Sequence, residues 1–201
     1  MRADTLLLTN PPEATVPIVN DLKNNIRQMS THFDSLMDFG KFHAGGFRVT
    51  PASFRLSELR TRIDLEIAPL CAQKGLAWNL DMADLLVWTD QELLLRLFRN
   101  LLTNAVRYTD SGEVCCSAKA NGDVVEFLIS DTGIGIPAEQ HEEIFGKFVR
   151  LENSGIGTAG TGLGLSIVEK INQALVLNLK MSSIIGKGTE FRFRVLSVSE
   201  K

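Results

Sequence analysis

The sequence predicts an α+β fold, and three observations carry that prediction. Helical and extended segments alternate along the chain, but without the regular strand-helix-strand rhythm that builds a parallel sheet. An Asn121-Gly122 pair stands between two alternating apolar stretches, the strongest short-range signal for a hairpin. The composition is that of a chain with a core, 44% hydrophobic and 22% charged over 201 residues. At that length about 70% of the unfolded surface is buried on folding. Disordered and collagen-like classes are excluded.

The first element is a long helix. Val19, Leu22, Ile26, Met29, Phe33 and Leu36 repeat at alternating spacings of three and four, a heptad seam. The stretch from Ile18 to about His43 lacks proline, is opened by Pro17 and is closed by Gly45 and Gly46. A helix with one apolar stripe must pack on another helix, and the residues before Pro17, which include Pro11 and Pro12, are too few to supply it. Its partner is expected from outside this sequence. The boundary to a globular unit is placed near 45–51.

Beyond the boundary the elements shorten. Residues 57–74 read as a helix ended by Gly75, and 76–80 and 85–88 as strands. A helix opens at Thr89, where Thr89-Asp90-Gln91-Glu92 reads as a capping box, and runs to about Tyr108. Strands at 113–119 and 124–130 flank the Asn121-Gly122 turn. Residues 138–145 and 162–174 read as helices, and 176–181 and 189–195 as the last strands.

Charge and cysteines narrow the function. The net charge of −3 gives no bulk attraction to nucleic acid or anionic lipid. No apolar run approaches the length of a membrane span, and the start is too short and polar for a signal peptide. No direct membrane insertion is expected. Cys71, Cys115 and Cys116 are an odd count without metal-ligand spacing, which fits a reducing compartment; adjacent Cys115 and Cys116 point to opposite faces of a strand.

Three glycine-bearing segments carry the chemistry. Asp131-Thr132-Gly133-Ile134-Gly135-Ile136-Pro137 follows a strand, so its backbone can approach a flat ligand closely and its carboxylate can accept from an exocyclic amine. Gly160-Thr161-Gly162-Leu163-Gly164-Leu165 leads into a helix whose first amides form an anion site. Gly186-Lys187-Gly188-Thr189 joins two strands. Neither the Walker loop nor the dinucleotide fingerprint fits, because Leu165 and Ser166 follow Gly164 and no strand precedes Gly160. Asn100 and Asn104 lie one turn apart on one face of the preceding helix, where two amides either cap a neighbour or ligate a hydrated cation.

Taken in order from Asn100 to Phe191, the asparagine helix, the Asp131 loop, the segment Glu143-Ile144-Phe145-Gly146-Lys147-Phe148-Val149-Arg150, the glycine-rich helix start and the final hairpin resemble the catalytic, ATP-binding domain of bacterial sensor histidine kinases. That domain has the Bergerat fold shared with gyrase, Hsp90 and MutL. The resemblance implies a two-layer α/β sandwich preceded by a long helix. Residues 1–46 would be a partial dimerisation hairpin lacking the phosphoacceptor, and 47–201 the catalytic domain. It implies ATP and Mg²⁺ as cofactors, with Asn104 on the metal and Asn100 as the second asparagine of its box. Arg107 and Tyr108 would lie near the phosphates, ribose and base. Asp131 would accept from the adenine amino group, with Gly133, Gly135 and Ile136 shaping the pocket and Thr189 supporting the aspartate. Lys147 and Arg150 would meet the phosphates, 153–159 would form a lid, and Thr161, Gly162, Leu163, Gly164 and Leu165 would frame the phosphate amides.

Asn100 discriminates among relatives. ATPase branches carry a glutamate there that activates water, and an asparagine has no basic oxygen to do so. Phosphoryl transfer to a histidine, which brings its own nucleophile, fits better. Two other readings stay open: a docking module acting through the seam helix, and a gyrase- or Hsp90-type ATPase. The family's phosphoacceptor segment has no match: His32 has no Arg or Pro following it, His43 lies near the end of the long helix, and His141 sits in the expected helix before Phe145. That helix is expected to lie outside this sequence. The implied partners are a response regulator receiver domain and a second copy of the full-length protein. The implied setting is cytoplasmic, as a whole protein or as the inner part of a membrane-bound sensor.

Overall fold

The computed structural model describes residues 48–146, 149 and 162–198 and the isolated positions 19, 22 and 26. Val19, Leu22 and Ile26 are helical, and Leu22 and Ile26 are more than half exposed. The other seam positions, Met29, Phe33 and Leu36, lie outside the described residues.

The chain then runs β1 (Ala52–Arg55), α1 (Leu56–Lys74), β2 (Ala77–Met82), β3 (Leu86–Thr89), α2 (Gln91–Tyr108), β4 (Glu113–Asn121) and β5 (Val124–Asp131). Two single-turn 3-10 helices (Ala138–Gln140 and Glu143–Phe145) precede α3 (Gly164–Leu175), β6 (Lys180–Ile184) and β7 (Gly188–Ser197). The strands form one sheet in the order β1-β3-β7-β5-β4-β2. The long β7 pairs along one edge with β5 and shares its other edge between β6 and β3. Only β2 and β4 run parallel.

Alternation makes the sheet one-sided. Val114, Cys116 and Ala118 of β4, Val125, Phe127 and Ile129 of β5, and Phe191, Phe193 and Val195 of β7 are all buried under the helices. The opposite face carries ion pairs such as Glu126 with Arg194 at 3.1 Å. A sheet with one apolar and one polar face needs a single helical layer, and α1, α2 and α3 supply it. At the centre, Phe98 of α2 meets Phe127 and Phe193 edge-on, with ring centroids 5.5 and 5.4 Å away. Cys115 and Cys116 divide between the faces as their adjacency predicts, and burial pushes the Cys116 thiol far up. Among the described residues no helix is long and apolar enough to cross a membrane.

Several local expectations need correction. Thr89 does not cap α2: it is the last, buried residue of β3, and the cap is Asp90, whose Oδ1 accepts from the Leu93 amide at 3.0 Å. The Asp90 Oδ2 also accepts from the Thr50 amide at 2.8 Å, so one carboxylate fixes both a helix start and the entry of the chain. The hairpin turn lies one residue later than Asn121-Gly122, because Asn121 pairs with Val124 and only Gly122 takes positive φ. A glycine at the first central position is the type II′ pattern. Residues 138–145 form two 3-10 turns rather than a helix. Val176 is not in a strand; it ends α3 with φ of 54°. The strand β1 was not predicted, for it has one buried residue, Phe54, and its pairing with β3 defines it.

Candidate functional site

Three segments meet beside the end of β5: the last turn of α2, the loop 132–137 and the β6–β7 hairpin. Two of these contacts fix the loop after Asp131. The Ile134 amide donates to the Tyr108 carbonyl at 3.1 Å, and the Gly186 amide donates to the Ile134 carbonyl at 2.8 Å. A loop clamped this tightly leaves no room for side chains. A Cβ on Gly133 would overlap the Tyr108 carbonyl oxygen, and one on Gly188, whose φ is +98°, would overlap the Asp131 carbonyl oxygen. Gly135 faces the Ile184 carbonyl in the same way.

Asp131 is held asymmetrically. Its Oδ1 accepts from the Gly133 amide at 2.9 Å and the Thr189 amide at 3.3 Å. Its Oδ2 has no hydrogen-bond partner among the described residues and remains a free acceptor. Burial pushes the Asp131 carboxyl above the ordinary carboxylate range, and the two amides offset part of that shift. Thr189 is buried, and its Oγ1 lies 2.9 Å from the Oγ of Ser183 in β6. Ser183 is a residue that sequence reasoning missed. Once the hairpin turn is centred on Gly186, the strand register puts Ser183 opposite Thr189, so a signal existed.

The other end of the site lies where α2 passes the start of α3. Asn100 donates through Nδ2 to the Arg96 carbonyl at 2.9 Å, which turns its Oδ1 toward Gly164. A Cβ on Gly164 would stand 3.1 Å from Asn100 Oδ1 and 3.8 Å from Asn104 Nδ2. Glycine there lets the start of α3 sit against both amides. Asn104 makes no side-chain hydrogen bond among the described residues. Gly162 takes φ of +68°, and among the described residues no side chain caps α3, so its first amides have no side-chain acceptor there. Leu163 is fully buried and contributes to the cleft only through its backbone, while Leu165 packs on the core edge.

Arg107 and Tyr108 are half-buried in the last turn of α2. That turn has a cap no motif announced. Lys74 Nζ donates to the carbonyls of Val106, Arg107 and Thr109 at 3.0, 2.9 and 3.0 Å. A cation on these carbonyls complements the negative end of the helix. His141 places Nε2 3.0 Å from the Ile136 carbonyl and so belongs to the loop's scaffold. Lys147, Arg150, Thr161, the proposed lid 153–159, His32 and His43 lie outside the described residues. Among the described residues no three His, Cys, Asp or Glu side chains cluster as a metal site.

The fold has solved counterparts, and the family follows from the sequence match. The structure superposes on a full-length ShkA crystal structure in complex with AMPPNP, at a TM-score of 0.76 and 23% identity, over 98% of this chain and 42% of that one. The sheet with helices on one face is the fold of histidine kinase ATPase domains. The family described as histidine kinase-, DNA gyrase B-, and HSP90-like ATPase matches residues 89–199, and the chain belongs to it. Its curated relatives include the sensor histidine kinase RcsC of Escherichia coli K12, 27% identical over 197 residues. They also include the autoinducer 2 sensor kinase/phosphatase LuxQ of Vibrio cholerae, 34% identical over 171 residues. The two alignments cover 96% and 81% of this chain but only 21% and 20% of those proteins, so the chain spans about a fifth of their length.

Proposed function

We propose that this chain binds ATP with Mg²⁺ and transfers the γ-phosphoryl group to a histidine on a dimerisation helix, for relay to a response regulator aspartate. Residues 47–201 would be the catalytic domain and 1–46 part of the dimerisation hairpin. The observation that carries the reading is the Asp131 carboxylate, with one oxygen engaged by two amides and the other free at a loop closed by glycines. A half-buried anionic acceptor in such a slot suits a flat base bearing an amino group, and adenine presents one.

The residues at the other end fit a hydrated Mg²⁺ carried by the phosphates. Asn104 offers a hard, neutral oxygen with no competing hydrogen bond among the described residues, and a cation that keeps waters and phosphate oxygens needs few protein ligands. Bound there, the ion would neutralise charge developing on the transferred group. The uncapped amides of Gly164, Leu165 and Ser166 would take the phosphates at the positive end of α3. Gly162 and Gly164 let the backbone approach, and Lys147, Arg150 and Thr161 are assigned to the phosphates by resemblance. Asn100 orients the cleft and cannot activate water.

The test is nucleotide binding by the 201-residue chain in Mg²⁺. Binding that Asp131→Ala strongly weakens supports the reading; no binding, or binding indifferent to that change, refutes it. A kinase that only positions its donor should also show no steady ATP hydrolysis, and turnover by the isolated chain would restore the gyrase-type reading.

A further inference from the structure

The Ser183 hydroxyl joins the two sides of the base end. It accepts from the Ile136 amide of the loop at 2.8 Å, lies 3.0 Å from the Gly188 carbonyl, and sits 2.9 Å from the Thr189 hydroxyl. The serine has one proton. Given to Gly188, it obliges Thr189 to donate to Ser183; given to Thr189, it frees the threonine proton for another acceptor. Either way three groups, one on the loop and two on β7, share the one oxygen of a β6 residue.

Asp131 depends on that junction unequally. Its bond from the Gly133 amide spans two residues and moves with the loop. Its bond from the Thr189 amide spans 58 residues and is already 3.3 Å long, near the limit of a useful hydrogen bond. Without the serine oxygen, the Ile136 amide and the Thr189 hydroxyl would both lose their partner in a half-buried site, and separation of loop from hairpin relieves that cost. The long bond breaks first. The carboxylate is then free to rotate about its side chain.

We propose that Ser183 is the positioning residue for base selection: through Thr189 it fixes the Asp131 carboxylate so that Oδ2 accepts from an exocyclic amino group. It therefore sets the preference for a 6-aminopurine over a purine lacking that group. The inference rests on the adenine reading of the Asp131 pocket.

The experiment measures dissociation constants for ATP and for purine riboside 5′-triphosphate, in which hydrogen replaces the 6-amino group. Wild type is expected to prefer ATP by about tenfold or more, the value of one charged hydrogen bond. Ser183→Ala and the isosteric Ser183→Cys should narrow that preference to about threefold or less, chiefly by weakening ATP. Ser183→Thr, which keeps the hydroxyl, should retain it. A merely structural serine would weaken both nucleotides alike, so variants that keep the wild-type ratio overturn the proposal. If Ser183→Ala does not fold, Ser183→Cys decides by the same ratio. A wild type that binds ATP without preferring it refutes the adenine reading and this inference with it; a selective wild type with selective variants refutes the role of Ser183 alone.

Discussion

The two ends of the cleft along α2 are built by opposite means. At the Asp131 end the polar groups are engaged before any ligand arrives: loop, hairpin and helix exchange amides and carbonyls, and one carboxylate oxygen is left over. At the Asn104 end, among the described residues, a side-chain amide and the first amides of α3 stand without side-chain partners. A site that must choose its ligand gains from rigidity, because a wrong group then leaves a half-buried acceptor unpaired. A site that must hold charged phosphates and a hydrated cation gains from donors kept open. The first end is a mould, and the second is a set of unspent hydrogen bonds.

The largest test of that contrast removes the leftover acceptor. Asp131→Ala should weaken ATP binding about a hundredfold, the upper range for one charge-assisted hydrogen bond, with or without Mg²⁺. Asn104→Ala should behave differently, weakening binding about tenfold in Mg²⁺ and little when the metal is chelated. Calorimetric titrations in both conditions separate the two. Equal Mg²⁺ dependence of both losses would break the division of labour.

A smaller effect is expected behind the base end. Lys74→Met leaves three carbonyls of the last α2 turn without their cation and should cost about 1–2 kcal/mol of stability, discounted because the lysine side chain is partly exposed. Because Tyr108 in that turn receives the Ile134 amide, ATP affinity should fall modestly while its Mg²⁺ dependence stays intact. Thermal melts read the first effect and titrations the second.

Protonation of Asp131 gives the base end a pH signature. Its folded pKa is raised, so lowering the pH through that value protonates the carboxyl and removes the anionic acceptor, and ATP affinity falls. Stability moves the other way. The folded state binds this proton more readily than the unfolded state, so the destabilisation carried by the buried charge is relieved as pH falls from above the folded pKa toward the unfolded one. Asp131→Asn should flatten both trends in titrations and melts across that range. An affinity that instead rises on acidification would contradict the role given to the carboxylate.

Legibility in the sequence follows the range of the interactions. Gly75 and the sheet alternation of β4, β5 and β7 speak through local spacing, and each stands where the pattern puts it. Lys74 was illegible as a site-builder because its partners lie 32 or more residues away, and the hairpin register signals Ser183's pairing with Thr189 but not its bond to Ile136, 47 residues away. The capping signature at 89–92 slipped by one residue because Thr89 is claimed by pairing with Ala52, which frees Asp90 to cap. The run after α3 read as a strand because its residues are apolar, whereas Asn172 turns the chain there. Its carbonyl accepts from the Leu177 amide at 3.2 Å and its Oδ1 from the Leu179 amide at 3.0 Å.

That turn supplies the smallest prediction and a control for the others. Val176 takes φ of 54° at the end of α3, the left-handed conformation that Gly75 takes at the end of α1. A β-branched side chain in that region carries strain of about 1–2 kcal/mol that glycine avoids. Val176 is exposed, so its removal forfeits little packing. Glycine's extra freedom in the unfolded chain offsets part of the gain. Val176→Gly should therefore raise stability by up to about 1 kcal/mol, a melting shift of a few degrees. The turn lies at the far end of α3 from Gly164, so ATP affinity and its Mg²⁺ dependence should not change. If this variant alters either, the cleft responds to stability in general, and the losses expected from Asp131, Asn104 and Lys74 no longer distinguish a preformed end from an open one.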